Sequence, residues 1–294
     1  MSIASEISRL QTAKTNIKAA IEAKGVTVPS SATIDTYDDY VSQISGGGGD
    51  TTPSAFTSWS YNDYGKPTNI VVKDSVTSIP SYFQYYNNSL SSCTIHSGVT
   101  SIGSYAFSSV GNTGPISLDV SNINLSNVSG NRNFSNIFSN SHLIGSITIP
   151  NNLLYGATSG LSSTCYQLFY NTMVNQNKEL TINAYADNSI IPRQMFCFST
   201  ATTVSKGKIN IIIHGTPTFL SENSFKLLSG TNIDEQSVTF VDCTTPPDAQ
   251  VYDTSYKSPF YQFKGTIYVP SAGLTAWKEK YTVVADKIQA IPNS

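Results

Sequence analysis

The sequence predicts a mainly β protein with short helices: a solenoid of about eight coils behind a small α-helical N-terminal module. Three observations predict it. Val76-Thr77-Ser78-Ile79-Pro80-Ser81-Tyr82 returns 23 residues later as Val99-Thr100-Ser101-Ile102-Gly103-Ser104-Tyr105, with only Pro80 and Gly103 differing, so the chain contains an internal repeat. Short β-type runs then recur at 70–72, 94–95, 116–118, 147–149, 180–182, 209–213, 238–240 and 267–269. Ahead of them lies a helical heptad pattern, cut off by a run of glycines at 46–49. A unit so short buries its apolar face only against its neighbours, so repeated units must stack.

Taken in order, Ile3, Ile7, Leu10, Lys14, Ile17 and Ile21 step by alternate fours and threes, an a/d seam interrupted once at Lys14. Ala13, Ala19, Ala20 and Ala23 favour helix, and Gly25 ends it. Two readings of this seam stand side by side. The helix packs on its own domain, or it self-associates through Ile3, Ile7, Leu10, Ile17 and Ile21, and isoleucine at both a and d then favours trimers or tetramers over dimers. Thr33 can cap a second short helix with Ile34, Tyr37, Val41 and Ile44 on one face and Asp35 favourably placed in its first turn. The glycine run cannot hold packed structure, so the predicted division is a helical module at 1–45, a linker at 46–52 and a repeat domain at 53–294.

Beyond the linker, the aromatic segment 56–64 is expected to cap the first coil, because an uncapped stack exposes its apolar end. The longer intervals, 121–141 and 155–172, are expected to be Ser- and Asn-rich loops on one rim, where recognition usually resides. The last strand ends at Pro270. A helical segment over 272–288, with Leu274, Trp277, Tyr281 and Val284 on one face, is expected to close the array, Trp277 covering the last coil.

Two resemblances add to this reading. Ser97-Gly98-Val99-Thr100-Ser101-Ile102-Gly103-Ser104-Tyr105-Ala106-Phe107 resembles the repeat of BspA-type leucine-rich repeat proteins, and a period in the low twenties lies in the leucine-rich range. The resemblance implies that Val99, Ile102, Ala106 and Phe107 point into the coil. Cys243-Thr244-Thr245-Pro246-Pro247, Gly265-Thr266-Ile267-Tyr268-Val269-Pro270 and the segment 277–288 are similar to the last coil and closing helix of such arrays. Near the N-terminus, Ala13-Lys14-Thr15-Asn16-Ile17-Lys18-Ala19-Ala20-Ile21, Gly25-Val26-Thr27-Val28-Pro29 and the second helix resemble a short module at the head of many bacteriophage tail and fibre proteins. That resemblance implies attachment or assembly in a virion.

Composition and motifs point away from chemistry. Charged residues make up 12% of the chain, against about 25% in an average soluble domain, and Ser, Asn and Thr fill the expected surface. A net charge of -2 gives no electrostatic case for nucleic acid. The N-terminal residues show no export signal, no apolar run is long enough to cross a membrane, and membrane insertion is not expected. Cys93, Cys165, Cys197 and Cys243 are too widely spaced for a zinc ribbon or disulfide scaffold and read as buried small residues. His96, His142 and His214 lie in different coils and read as solvent-facing or rim residues, and Asp38 and Asp39 as a solvated helix face. With no phosphate-binding loop, nucleophile elbow or Cys/His pairing, no catalytic, metal or cofactor site is expected.

Tyrosine is the exception, with 17 copies. Tyr82 and Tyr105 fill equivalent coil positions, whereas Tyr85, Tyr86 and Tyr256 are candidates for a contact surface. Together with these features, the resemblance to bacteriophage tail and fibre proteins implies a non-enzymatic virion protein: a fibre or fibre-tip subunit, a homo-oligomer and by preference a trimer. It would hold other virion proteins through its N-terminal helices and a host surface protein or glycan through its repeats. A head or tail decoration or connecting protein is the alternative. A bacterial BspA-like surface adhesin ranks lower, for want of an export signal.

Overall fold

The computed structural model describes residues 3–22, 26–33, 37, 56–61, 67–111, 116–129, 134–154, 165–175, 177–198, 207–226, 236–249 and 258–292, with backbone alone at 3–4 and 56–61. The chain divides into two compact units, Met1–Phe56 and Thr57–Ser294.

The first unit is built on α1 (Ile3–Glu22), supported along its length by ion pairs of Arg9 with Glu6 at 2.9 Å and Lys18 with Glu22 at 3.7 Å. Of its described side chains only Ile21 is buried, in an apolar cluster with Val26, Val28, Ala32 and Tyr37. A turn in which the Ala32 amide donates to the Pro29 carbonyl at 3.1 Å shapes the segment that supplies three of these residues. Lys14 Nζ lies 6.0 Å from the centre of the Tyr37 ring. Apart from Thr33 and Tyr37, the expected second helix lies outside the described residues, as do the linker at 46–52 and Asp38 and Asp39.

The second unit is mainly β. Its strands are β1 (Phe56–Tyr61), β2 (Pro67–Val72), β3 (Ser78–Ile79), β4 (Ser92–Thr94), β5 (Ser101–Ile102), β6 (Leu118–Asp119), β7 (Leu143–Ile149), β8 (Glu179–Tyr185), β9 (Ile190–Ile191), β10 (Lys208–His214), β11 (Phe219–Leu220), β12 (Gln236–Phe240), β13 (Asp248–Ala249), β14 (Thr266–Val269) and β15 (Ile288–Ala290). Among the described residues ten of them form one sheet in the order β1-β2-β4-β6-β7-β8-β10-β12-β14-β15. From β2 to β15 every pairing is parallel. The strands skipped by this sheet pair with one another instead, β3 with β5 and β9 with β11 and β13. Each pass of the chain thus lays a strand in the main sheet, in several passes a two-residue strand in a second row, and then a turn in a third row.

Alternation explains which residues face inward. Ile147, Ile182, Ile211, Val238, Ile267 and Ile288 lie side by side in register and all are buried. One residue further on, Thr148, Asn183, Ile212, Thr239, Tyr268 and Gln289 make the opposite face. All eight predicted β-type runs overlap a strand of the main sheet.

The turn row carries a line of buried phenylalanines. Phe107, Phe138, Phe169, Phe196, Phe225 and Phe260 stack in succession, ring centres 5.8, 5.5, 6.0, 5.4 and 5.4 Å apart and planes within 16° of parallel. Their amides continue the order. Phe107, Phe138, Phe169, Phe196 and Phe225 each donate to the carbonyl of the residue preceding the next phenylalanine, at 2.9–3.1 Å. Two expectations are corrected here. The intervals 121–141 and 155–172 are not simply rim loops, because Leu125, Val128, Phe134, Ile137, Phe138, Leu168 and Phe169 within them are buried core. Nor is 272–288 one helix: between α2 (Asn151–Leu154) and β15 the only α-helix among the described residues is α3 (Leu274–Lys280), a 3-10 segment follows, and Ile288 enters β15 beside β14.

The array closes on α3. Trp277 is fully buried, 4.6 Å from the Phe240 ring, and its Nε1 donates to the Cys243 carbonyl at 2.8 Å. The Tyr281 hydroxyl donates to the Pro247 carbonyl at 2.8 Å, while its ring meets Phe260 edge-on at 5.3 Å. Since Phe169 contacts rings on both sides, Phe169→Ala should cost about 3–5 kcal/mol. A urea midpoint equal to that of the unaltered protein would show that the ring row does not carry the stability.

Candidate functional site

The turn row makes an unusual demand on its side chains. In each pass it holds slots with φ between 53° and 62°, in the left-handed region. Most are filled by amides, Asn136, Asn140, Gln167, Asn171, Gln194, Asn223 and Gln262, and of these asparagine is among the residues that adopt this backbone most readily after glycine. The amides also reach along the row: Gln167 Nε2 donates to Gln194 Oε1 at 2.8 Å and Asn171 Nδ2 to Asn140 Oδ1 at 2.9 Å.

Three slots hold tyrosine instead. Tyr82, Tyr86 and Tyr105 have φ of 62°, 57° and 60°, a conformation that costs a bulky side chain roughly 1–3 kcal/mol. Tyr82 and Tyr105 stack with centres 5.3 Å apart and planes 3° from parallel. Tyr85 meets Tyr82 edge-on at 5.3 Å and Tyr86 at 4.3 Å. Tyr82, Tyr85 and Tyr86 are all exposed, Tyr82 by 56%. A side-chain hydrogen bond with Tyr86, followed by desolvation from the neighbouring rings, holds the Tyr85 phenol above its usual 10.0. Beside them Pro67, Phe83, Gln84, Tyr85 and Asn87 line a shallow recess of 160 Å³.

The structure therefore brings Tyr85 and Tyr86 together, and adds Tyr82 and Tyr105, which sequence reasoning treated as coil fillers. The signal was available: both stand two residues before the turn-row position occupied by Phe107 and by Gln84, where later passes place Asn or Gln. Tyr256 lies outside the described residues. On α1, Ile7, Leu10 and Ile17 are exposed by 51%, 54% and 41%, so three seam positions stand uncovered. The Ile3 side chain is not among those described, and Ile21, expected on the same seam, is taken up by the cluster within its own unit.

A second recess, of 430 Å³, is lined by Thr94, Ser121, Asn124, Ser126, Ser146 and Thr148 among others, none of them charged. Ser121 Oγ accepts from the Ser146 amide at 3.1 Å, leaving the recess walls largely hydroxyl and amide. Elsewhere the reactive side chains are occupied or shut away. All four cysteines are free and buried; burial pushes Cys93 up to about 12 and Cys197 and Cys243 to about 11, and raises Cys165 as well. His96 Nε2 is 2.7 Å from the Lys73 carbonyl and its Nδ1 accepts from Gly98, while His214 stacks on Tyr185 at 4.6 Å. His142 is not a rim residue: both ring nitrogens are closed off from solvent without a hydrogen-bond partner. Among the described residues no group of three or more His, Cys, Asp and Glu could hold a metal ion, and no helix is long and apolar enough to cross a membrane.

No protein-family model matches the chain, and no curated protein matches it at a significant level.

Burial holds the His142 pKa below its usual 6.5, so the folded state resists a proton that the unfolded chain accepts. The stability this confers is present above pH 6.5 and is lost as pH falls below it. His142→Leu should therefore narrow the drop in melting temperature between pH 7.5 and pH 5, and a drop of unchanged size would place the acid sensitivity elsewhere.

Proposed function

We propose that this chain is a bacteriophage virion structural protein, a fibre or fibre-tip subunit whose repeats form a BspA-like leucine-rich solenoid of about eight coils that adheres to the host surface. The observation that carries the reading is the uncovered seam on α1. Ile7, Leu10 and Ile17 repeat at heptad spacing on a helix whose only buried described side chain is Ile21. Most of a helix's stability in a protein comes from packing its apolar face, and a row of exposed isoleucine and leucine is what partner helices cover. Isoleucine at both a and d favours trimers or tetramers over dimers, and of these the trimer is the preferred reading.

The repeat domain supports the rest. Its in-register parallel strands place equivalent side chains in rows, and its uncharged tyrosine surface and polar recess are suited to recognition rather than reaction. Three copies joined through the helices would present three such surfaces, and weak contacts add through effective concentration.

Light scattering of the full chain beside a chain beginning at Asp50, at matched concentrations, tests this. A trimer that becomes a monomer on truncation is the expected outcome. A full-length monomer would remove the oligomerising stem and leave the helix as a dock for another virion protein, the decoration role.

A further inference from the structure

We infer that the tyrosine surface of the first two turn-row passes, Tyr82, Tyr85, Tyr86 and Tyr105, is a binding site for a neutral glycan. The inference rests on the adhesion reading above and names its ligand class.

The comparison between passes carries it. The slot of Tyr82 and Tyr105 accepts Asn136, Gln167, Gln194 and Asn223 in later passes, and the slot of Tyr86 accepts Asn140 and Asn171, where the turn row keeps its hydrogen bonds and its stacked phenylalanines. Folding alone therefore does not ask for tyrosine at 82, 86 or 105; the slot tolerates asparagine better. Tyrosine there places rings at the surface in a backbone conformation that disfavours it, and Tyr82, Tyr85 and Tyr86 remain exposed. Strain held at an exposed cluster points to use of the cluster.

The chemistry of the surface selects the ligand. Residues 81–88 and 103–111 contain no charged side chain, so these two segments offer nothing complementary to an acidic or basic partner. They contain no exposed aliphatic residue and no arginine either, the groups that usually accompany tyrosine in a protein interface. What they offer is aromatic faces bordered by phenol, serine and amide groups. A sugar ring has the matching pattern: its C–H face packs on an aromatic ring while its hydroxyls bond the polar edge. The recess beside Tyr85, at 160 Å³, is below the 300–1,000 Å³ of an ordinary small-molecule pocket, so the site is a platform for part of a chain rather than an enclosed cavity.

The stacked pair sets the arrangement. Tyr82 and Tyr105 are held 5.3 Å apart by the spacing of adjacent passes, and Tyr85 stands edge-on to Tyr82. The rings are therefore fixed before any ligand arrives, which lowers the entropic cost of binding.

The test uses the full chain on a printed array of neutral bacterial oligosaccharides, with adhesion to bacterial cells measured in parallel. Tyr82→Asn and Tyr86→Asn, singly and together, introduce the residue type that later passes use, so melting temperature should be unchanged or raised while array binding falls about tenfold or more. Tyr85→Ala, outside the strained slots, should weaken binding in the same direction and serves if the asparagine variants fail to fold. Tyr185→Asn, an exposed tyrosine on the main sheet, should bind as the unaltered chain does. Undiminished binding by the folded variants overturns the site. Cells bound through a protease-sensitive receptor, with no array signal, overturn the glycan and leave adhesion standing. Array binding that depends on these tyrosines, without adhesion to any cell, supports the site and removes the adhesion reading.

Discussion

The hydrogen bonds that run from one turn-row pass to the next set most of what this chain can be. For Phe107 to donate to Ile137, Phe138 to Leu168 and Phe169 to Met195, amides and carbonyls must point along the row rather than across it. The backbone achieves this by placing a left-handed residue two positions before each of these phenylalanines, at Tyr105, Asn136 and Gln167. Once the passes are tied at strand spacing, rings in equivalent positions have no choice but to stack. The stack must also end. In the first pass Gln84 stands where a phenylalanine would, buried and bonded to Asn87 Nδ2 at 2.8 Å, which in turn donates to the Pro67 carbonyl at 2.9 Å. At the far end Tyr281 turns its ring edge-on to Phe260 and spends its hydroxyl on a backbone carbonyl.

The same register accounts for the scarcity of charge. Parallel strands in register place a side chain directly beside its equivalent in the next pass, so a charge repeated in a row would face its own kind. Hydroxyls and amides satisfy each other in that arrangement. Asn69 accepts from Ser92 at 2.6 Å, Ser101 donates to Ser78 at 2.7 Å, and Asn210 links Glu179 at 2.6 Å to Ser237 at 3.1 Å. A charged content of 12% follows from the geometry as much as from any environment the protein meets.

This geometry also decides what could be read from the sequence. The strands were legible because β-branched runs mark them, and the doubled motif fixed the pairing of Ser78-Ile79 with Ser101-Ile102. Even the single difference between the copies has a cause: a Cβ at Gly103 would lie 2.2 Å from the Ser81 amide nitrogen. The turn row was hidden because its phenylalanines are unevenly spaced and follow Ala106, Ile137, Leu168, Met195, Ser224 and Pro259, which share no pattern. The surface was half legible for the same reason. Tyr85 and Tyr86 stood out as unexplained aromatics, while Tyr82 and Tyr105 were concealed by belonging to the repeat. On α1 the heptad spacing was visible, but it could not tell that Ile21 is consumed by Val26, Val28, Ala32 and Tyr37.

The uncovered helix and the aromatic surface belong together on the proposed reading. A helix with one buried anchor among its described side chains gains little from its own unit, so on this reading its formation and its association with other copies would become nearly one equilibrium. A shallow platform of a few rings gives only modest affinity alone, because little of a ligand is enclosed there. Each weakness is repaired by the other feature: association of the helices multiplies the platforms, and multiplied platforms convert modest contacts into firm attachment without any deep pocket. A chain with a tight enclosed site would have no physical need of an exposed seam. Here the recess beside Tyr85 and the larger one lined by Ser121 and Ser146 are open and without a charged wall, and on the proposed reading each copy that joins would repeat them.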